Sequence, residues 1–339
     1  MVKKNLWEEL IMLKVALLSK WHVHAVEYAN RFKAMDDVEL TCVWDEDPAR
    51  GQAWAQELGL DFEADLDTLL KRPDVDAVSI CSPTNMHKEL MIKAANAKKH
   101  IFTEKVMALT VADCDEIIQA VEDNGVKFTI CEFQRCEPRN LFIKQAIESG
   151  LLGDVTVLRV RNCHNGALAG WLPDYWYDPE TTGGGAMMDL GAHPMYLSQW
   201  MLGRPVRIQS TFNNFTGHPV EDNAISVIEF ENKAVAISET SLVSPLTPRM
   251  FEVYGTKGVI LCVDDDIRMK TLESDRMVEG GWFVPKLPEA LPHPTRQWVD
   301  SILYGGPERY GVQEGRALTE LMENAYIADR EKREVAFAK

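Results

Sequence analysis

Continuous apolar runs alternate with amphipathic segments over the first 131 residues. The runs lack polar-apolar alternation, as expected of strands that are covered on both faces. The segments between them repeat apolar residues every three to four positions, which is the period of a helix packed on one side. This order predicts a parallel, doubly wound α/β sheet, with strands at 15–18, 38–44, 77–81, 100–102 and 128–131 and helices at 24–32, 53–58, 66–70, 88–97 and 112–124.

The pattern changes after a helix that begins near Phe133 and stops at Ser149 and Gly150. Several later runs alternate apolar and polar residues, which predicts an antiparallel sheet with one face exposed or used for assembly into a homo-oligomer. We therefore divide the chain into domains at 12–133 and 134–339. The second domain is predicted to contain strands at 155–162, 208–215, 224–230, 234–240, 250–254 and 259–263 and helices at 186–200, 298–303 and 315–330.

Composition excludes several classes of partner. The length of 339 residues exceeds one ordinary core, and the net charge of −16 argues against nucleic acid or an anionic membrane as a partner. No apolar run reaches the length of a membrane span, and the charged start of the chain lacks the apolar core of a signal peptide. Residues 1–11 are interpreted as an extension, because residues 12–14 directly precede the first predicted strand. Seven scattered cysteines without a C-x-x-C pair favour a reduced cytoplasmic protein over a disulfide or zinc framework.

Acidic residues follow the second predicted strand. Ligands of doubly wound sheets bind at the carboxyl ends of the strands, and Asp45 lies where the ribose-binding acid of a dinucleotide site is expected. Glu46 and Asp47 follow it, and three acids in a row would repel a 2′-phosphate, so NAD is favoured over NADP. The alternative interpretation is that the acids form only a turn and a helix cap.

The first turn, residues 19–24, carries no glycine where a G-x-G-x-x-G fingerprint is expected. We hypothesise that it still cradles a pyrophosphate, with the next helix presenting N–H groups and with Ser19, Lys20 and His22 adding a hydroxyl and charge. In the alternative interpretation, His22 and His24 are packing or capping residues. The sequence shows no third ligand near this pair, and no metal site is predicted.

A glycine run precedes a predicted helix in the second half of the chain. Gly183, Gly184 and Gly185 allow a close backbone approach, and Asp189 and His193 are four residues apart on the helix that follows. A carboxylate one turn before an imidazole orients that ring, which is how a proton-transfer pair is built. The alternative is that the Asp-His pair only ties two segments together.

The motifs together resemble the Gfo/Idh/MocA oxidoreductase family. The resemblance rests on residues 45–48, 81–87, 100–105, 183–193 and 200–203, in that order. It implies an N-terminal Rossmann domain, a C-terminal α/β domain built on a large, mostly antiparallel open sheet, and hydride transfer between NAD(P) and a ring hydroxyl of a sugar or cyclitol. It implies Lys105, Asp189 and His193 as catalytic residues. The residues expected to bind the cofactor are Ser19, Lys20, Trp21, His22, Asp45, Cys81, Ser82, Thr84, His87, Glu104, Lys105 and Gln134.

The chain departs from the family pattern at two points. The glycine fingerprint is missing and its loop is shorter, and Val106 replaces the proline that follows the motif lysine. The first departure affects how a pyrophosphate would be held. The second bears on the backbone geometry next to Lys105.

Polar and aromatic residues before the glycine run suit a polyhydroxylated ring, because ring C–H groups stack on aromatic faces and hydroxyls take hydrogen bonds. We expect about half of the aromatics in the 171–178 loop to be core or interface residues instead. The expected substrate contacts are Lys105, Asn162, His164, Trp176, Asp189 and His193.

Two assignments of the base are open. We favour His193 as the base, oriented by Asp189, with Lys105 as a hydrogen-bond donor to the reacting oxygen. For Lys105 to be the base, its pKa would have to fall well below the ~10.4 of a free lysine.

Two alternatives to a dehydrogenase are an NAD-dependent glycosidase that acts by transient oxidation and elimination, and a non-catalytic sugar-binding relative.

Overall fold

The computed structural model of the protein describes residues 12–277 and 279–338. The expected N-terminal extension, residues 1–11, lies outside the described residues. The strands are β1 (Leu13–Leu18), β2 (Val38–Trp44), β3 (Asp61–Phe62), β4 (Ala77–Ile80), β5 (His100–Thr103), β6 (Phe128–Ile130), β7 (Val155–Cys163), β8 (Pro205–Asn213), β9 (Asn223–Phe230), β10 (Val235–Ser241), β11 (Met250–Gly255), β12 (Gly258–Val263), β13 (Asp266–Thr271), β14 (Trp282–Phe283) and β15 (Val335–Ala336).

The α-helices separate these strands and also close the chain. They are α1 (Ala25–Lys33), α2 (Pro48–Leu58), α3 (Leu66–Leu70), α4 (His87–Asn96), α5 (Val111–Asn124), α6 (Pro138–Glu148), α7 (Gly166–Ala169), α8 (Pro179–Thr182), α9 (Ala192–Leu202), α10 (Ser274–Met277), α11 (Pro294–Leu303) and α12 (Val312–Glu331). Within the described residues, no helix combines the length and the apolar character needed to cross a bilayer.

The chain forms two compact units, and each is assembled from three stretches of sequence. Unit 1 comprises the described residues up to Glu104 together with Asp113–Cys131 and His293–Gln313. Unit 2 comprises Lys105–Ala112, Glu132–Pro292 and the described residues from Glu314 onward.

Unit 1 contains a six-stranded parallel sheet in the order β3-β2-β1-β4-β5-β6. This confirms the predicted doubly wound Rossmann sheet. Leu18 pairs in register with Trp44 of β2 and with Ile80 of β4, and Ile80 pairs with Thr103 of β5. The carboxyl ends of these four strands therefore lie at one edge of the sheet, the edge at which such folds bind ligands.

Helix α11 packs in unit 1 although it lies far from the other elements of that unit in sequence. Its Trp298 is fully buried against Phe32 and Phe102, with ring centroids 5.7 Å apart in both pairs. Its Arg296 donates two hydrogen bonds, of 2.7 and 2.9 Å, to the Asp37 carboxylate. This guanidinium holds the pKa of Asp37 below its usual value.

Unit 2 contains a nine-stranded sheet in the order β14-β13-β12-β11-β7-β10-β9-β8-β15. Only the β7–β10 pair is parallel among these strands, which confirms the mostly antiparallel open sheet. Strand β9 alternates as predicted: Ala224 and Ile228 are buried, whereas Ile225 and Val227 are exposed. The short strands β13, β14 and β15 at the sheet edges were not predicted.

The predicted helix at 186–200 is not a single α-helix. Its first turn, Met187–Gly191, is a π-helix, and α9 continues from Ala192. Glu221 accepts hydrogen bonds from the backbone amides of Gly185 and Met187, and the Thr240 hydroxyl donates to the carbonyl of Ala186. These contacts anchor the start of the segment from outside the helix. The wider turn, which is frequent at functional sites, carries Asp189.

Candidate functional site

The Lys105 side chain is buried in unit 2 and is held by Asp189. Its Nζ donates to Oδ1 and to the backbone oxygen of Asp189, both at 2.9 Å. The Lys105 side chain is 3% exposed, and the indole Nε1 of Trp176 donates to Asp189 Oδ2 at 3.3 Å. The Lys105–Val106 peptide bond is cis. The predicted ammonium and carboxylate therefore form one ion pair, in which each carboxylate oxygen has a donor.

His193 lies in the first turn of α9, directly after the π-helical turn. The side chain is buried, and its Nδ1 is 2.9 Å from the hydroxyl of Tyr196. The ring also meets Phe133 edge-on, with centroids 5.4 Å apart. Tyr196 was not among the predicted site residues, although its spacing of three from His193 on a helix is a signal that could have identified it. That Asp189 orients His193 stays a prediction.

Asn162 and His164 lie at the carboxyl end of β7, near the segment that carries Asp189. Asn162 Nδ2 donates to the carbonyl of Leu190 at 3.2 Å. His164 Nδ1 accepts from the amide of Gly166 at 3.0 Å. Burial lowers the pKa of His164, and the Asp189 carboxylate acts in the opposite direction. The six predicted substrate contacts thus gather around residues 189–193 within unit 2.

The aromatic loop before the glycine run divides as expected between buried and exposed positions. Trp176 and Tyr177 are buried, whereas Trp171 and Tyr175 are exposed. Trp171 lies against the ring of His164, with centroids 4.7 Å apart, and Tyr177 stacks on His218 at 3.6 Å. Of these aromatics, Trp176 contacts the Lys105–Asp189 pair directly.

The glycine run serves a close backbone approach to Glu221. A Cβ atom on Gly185 would lie 2.0 Å from the Glu221 carbonyl oxygen. The Glu221 carboxylate accepts from the amides of Gly185 and Met187 at 3.0 Å and from the Tyr326 hydroxyl at 2.6 Å. Burial raises the pKa of Glu221, and these donors partly offset that effect. Glu221 was missed because an acidic pair, Glu221 and Asp222, between two predicted strands carries no motif.

Most of the residues predicted to bind a cofactor lie in unit 1. They follow the carboxyl ends of β1, β2, β4 and β5 and are Ser19, Lys20, Trp21, His22, Asp45, Cys81, Ser82, Thr84, His87 and Glu104. All of these except Lys20 and Thr84 are buried. Lys105 and Gln134 lie in unit 2, where the Gln134 amide donates to the Tyr196 hydroxyl at 3.3 Å.

The first turn of unit 1 uses its backbone amides internally. The Ser19 amide donates to the Trp44 carbonyl, and the Lys20 amide donates to the Asp45 carboxylate. The Trp21 amide donates to the Ser19 hydroxyl. The amide of His22 donates to the Cys81 carbonyl at 2.9 Å. Ser19 adopts a φ of 74°, a conformation usually given to glycine, and the Lys20 ammonium is paired with Glu57 at 2.9 Å. These four amides are therefore used within the fold and do not point outward as in a glycine-rich loop.

Two acids at the end of β2, Asp45 and Glu46, both pair with Arg50. Asp45 is buried, and its carboxylate accepts from the amides of Lys20 and Asp47 and from both Nε and Nη2 of Arg50. The next residue, Glu46, pairs with the same Arg50 guanidinium through Oε1, and its Oε2 is buried. Burial raises the pKa of Glu46, which a hydrogen bond from the Ser19 hydroxyl partly offsets.

Comparison with known proteins identifies two family regions. Residues 22–131 match the description "Oxidoreductase family, NAD-binding Rossmann fold", and residues 141–261 match "GFO/IDH/MocA C-terminal domain". The first match begins at His22, within the turn that has lost its glycines. Together the two matched ranges span more than half of the chain.

Individual relatives share this architecture. The chain is 26% identical to a myo-inositol 2-dehydrogenase of Thermotoga maritima, over 91% of this chain and 94% of that protein. It is 31% identical to a 2,7-anhydro-N-acetylneuraminate hydratase of Mediterraneibacter gnavus, over 63% of this chain and 58% of that protein. Its fold matches the crystal structure of an NAD-binding protein from Listeria innocua with a TM-score of 0.84 and 23% identity, over 96% of both chains. The chain therefore belongs to the Gfo/Idh/MocA oxidoreductase family and carries its NAD-binding Rossmann domain.

Proposed function

We propose that the protein is an NAD-dependent dehydrogenase that oxidises a ring hydroxyl of a sugar, a sugar derivative or a cyclitol. The observation that carries this proposal is the buried Lys105–Asp189 ion pair, with His193 just beyond it and with Asn162, His164 and Trp176 around the same segment. An ammonium and an imidazole suit the activation of a C–OH group. The myo-inositol dehydrogenase relative supports this class of substrate.

When bound, NAD would supply the acceptor for the hydride that leaves the carbinol carbon, and the acids at the end of β2, Asp45 and Glu46, would hold its ribose. Lys105 donates a hydrogen bond to the substrate oxygen and stabilises the negative charge that develops there. Asp189 acts as a positioning residue, because its Oδ1 and its backbone oxygen each accept a hydrogen bond of 2.9 Å from the Lys105 ammonium. His193 takes the hydroxyl proton, and Tyr196 sets the orientation of its ring through Nδ1.

A second candidate is a reaction in which NAD is reduced and reoxidised within one turnover, so that elimination or hydration is the net result. The relative named as a hydratase favours it. The two functions differ in one observable, because only a net dehydrogenase accumulates NADH.

We also propose that the protein is a cytoplasmic homo-oligomer that assembles through the outer face of the unit 2 sheet. The exposed side chains of Ile225, Val227 and Tyr254 on that face support the assembly. All seven cysteines are free thiols, six of them buried, which supports a reducing compartment.

The test is NADH fluorescence with purified protein, NAD and a panel of sugars, inositols and sugar acids, followed by Lys105→Ala and His193→Ala on the active substrate. Each variant is expected to lose about 10²–10⁴-fold in kcat, the usual contribution of a general acid or base. Lys144→Ala is the matched control, because this unit 2 lysine donates to the Trp200 carbonyl. Both variants retaining more than about a tenth of the activity would contradict the assigned roles.

Product analysis separates the two functions. NADH release with an oxidised sugar supports the dehydrogenase. Substrate conversion without NADH release supports the second candidate. If saturating NAD gives neither conversion nor a thermal shift, both functions are wrong.

A further inference from the structure

Two histidines and one glutamate converge at the carboxyl edge of the unit 1 sheet. Among the described residues, His22, His24 and Glu104 form a group whose donor atoms all lie within 4.8 Å of one another. His22 and Glu104 are buried, and His24 is partly exposed. We propose that these three side chains bind a divalent transition-metal ion.

The sheet order explains why the sequence did not indicate a third ligand. Strands β1 and β5 both pair with β4 in parallel, so the residues that follow them end at the same edge. The His22 amide donates to the Cys81 carbonyl at 2.9 Å, and the Glu104 amide donates to the Ile80 carbonyl at 3.2 Å. Both ligand-bearing backbones are therefore fixed to the end of β4. Glu104 is distant in sequence from the histidine pair but adjacent in the fold.

The distances suit an ion held by all three groups. Glu104 Oε1 is 2.8 Å from His24 Nδ1 and 4.0 Å from His22 Nδ1. Metal–nitrogen and metal–oxygen bonds of about 2.0–2.2 Å in tetrahedral geometry separate the donors by roughly 3.3–3.5 Å. The two observed separations lie on either side of that value, so small side-chain rotations would admit the ion.

The protonation pattern is also compatible with metal binding. His22 Nδ1 accepts the His24 amide at 3.2 Å, so it is the unprotonated nitrogen of its ring, as a metal ligand must be, and a bound ion would replace the amide as its partner. The hydrogen bond between His24 Nδ1 and Glu104 Oε1 would likewise be replaced by the ion, with release of its proton to solvent. The Tyr28 hydroxyl also donates to Glu104 Oε1 and orients the carboxylate.

The donor set indicates the class of metal. Two imidazoles and a carboxylate are typical of Zn²⁺ sites with an open position and of Fe²⁺ sites, whereas Mg²⁺ and Ca²⁺ prefer oxygen donors alone. Three protein ligands leave at least one position for water or another oxygen ligand. The competing interpretation is a metal-free hydrogen-bond network of His24, Glu104 and Tyr28.

Metal binding to the full-length, tag-free chain decides between these interpretations. After EDTA treatment and dialysis, Zn²⁺ titration calorimetry and elemental analysis are expected to give about one ion per chain. His22→Asn and Glu104→Gln are expected to weaken binding at least about tenfold, by loss of one ligand. His100→Asn is the matched control, because this partly buried unit 1 histidine accepts the Lys127 amide at 2.9 Å. Absence of saturable binding, or equal binding by the His22→Asn/Glu104→Gln double variant, would overturn the proposal.

A second measurement does not depend on the variants folding. Co²⁺ added to the metal-free wild-type chain is expected to give the intense visible absorption of a four-coordinate site with nitrogen ligands. A spectrum identical to that of hydrated Co²⁺ would overturn the proposal even if every variant is unfolded.

Discussion

Glu221 is a partly buried residue whose side chain holds the turn that carries Asp189. Its carboxylate accepts hydrogen bonds from the amides of Gly185 and Met187, four and two residues before Asp189. Those donors fix the turn that carries Asp189, but they only partly offset the burial that raises the pKa of Glu221. Its ionised form is therefore less favourable in the folded state than in the unfolded chain.

Glu221→Gln is expected to change the pH dependence of stability. The unfolded carboxyl titrates near 4.5, and the folded pKa is higher. Between these two values the folded state holds more protons, so the wild-type free energy of unfolding falls as pH rises through that window. Glutamine does not ionise and its oxygen still accepts the two amides. The stability of Glu221→Gln relative to wild type should therefore increase as pH rises above about 4.5.

Urea unfolding of both proteins at a series of pH values measures this difference. Glu148→Gln, at an exposed position in α6, is the control for removing a negative charge. A stability difference between Glu221→Gln and wild type that is independent of pH would show that Glu221 is not the group responsible.

At the scale of elements, hydrophobic periodicity predicted most of the helices and strands. It failed where contacts between residues that are distant in sequence determine the backbone conformation. Strand β2 and helix α3 were predicted to the residue, because a continuous apolar run and a short amphipathic segment define them. The π-helical turn was not predicted, since the groups that anchor it, on Glu221 and Thr240, lie in other parts of the chain. The edge strands β14 and β15 were missed because two residues give too little periodicity.

Alanine substitution distinguishes a glycine required by contact from one that is not. Gly185→Ala would place Cβ 2.0 Å from a backbone oxygen, that of Glu221, which no side-chain rotation relieves. We expect a loss of about 3 kcal/mol in the free energy of unfolding. In Gly315→Ala, the new Cβ would lie 2.8 Å from the flexible Met107 Sδ, and alanine favours α12 by about 1 kcal/mol.

The measurement is chemical denaturation of both variants beside wild type. Gly315→Ala should remain within about 1 kcal/mol of wild type. Equal stability of the two variants would show that the close approach at Gly185 relaxes easily, contrary to the contact described above.

At the scale of the whole molecule, the order of the motifs anticipated the contact between Lys105 and Asp189, whereas other long-range contacts carry no motif. Asp189, His193 and Lys105 are recognisable because their spacing is typical of the family, and the fold places Lys105 and Asp189 in contact. No motif marks the pairing of the Asp45 carboxylate with Arg50, because it depends on where Arg50 lies in α2. Likewise, the return of α11 to unit 1 depends on Trp298 fitting a pocket that only the folded sheet creates.

The proposed oligomer makes a prediction about the outer face of the unit 2 sheet. Val227 is 42% exposed and lies between Gln209 of β8 and Ile237 of β10 in the sheet register. In a two-fold symmetric interface each substitution acts twice, and placing an unpaired charge in a buried position is strongly destabilising. Val227→Arg should therefore weaken association by at least about 3 kcal/mol, or roughly 100-fold, and also leave two charges unpaired.

Light scattering coupled to size-exclusion chromatography measures the effect over a range of protein concentrations. Wild type should elute at a multiple of the chain mass, and Val227→Arg should shift toward the monomer. Val26→Arg is the matched control, because Val26 is 39% exposed on α1 in unit 1. A monomeric wild type, or a Val227→Arg variant with the wild-type mass, would rule out this face as the interface. If Val26→Arg alone dissociates the protein, the interface lies on unit 1.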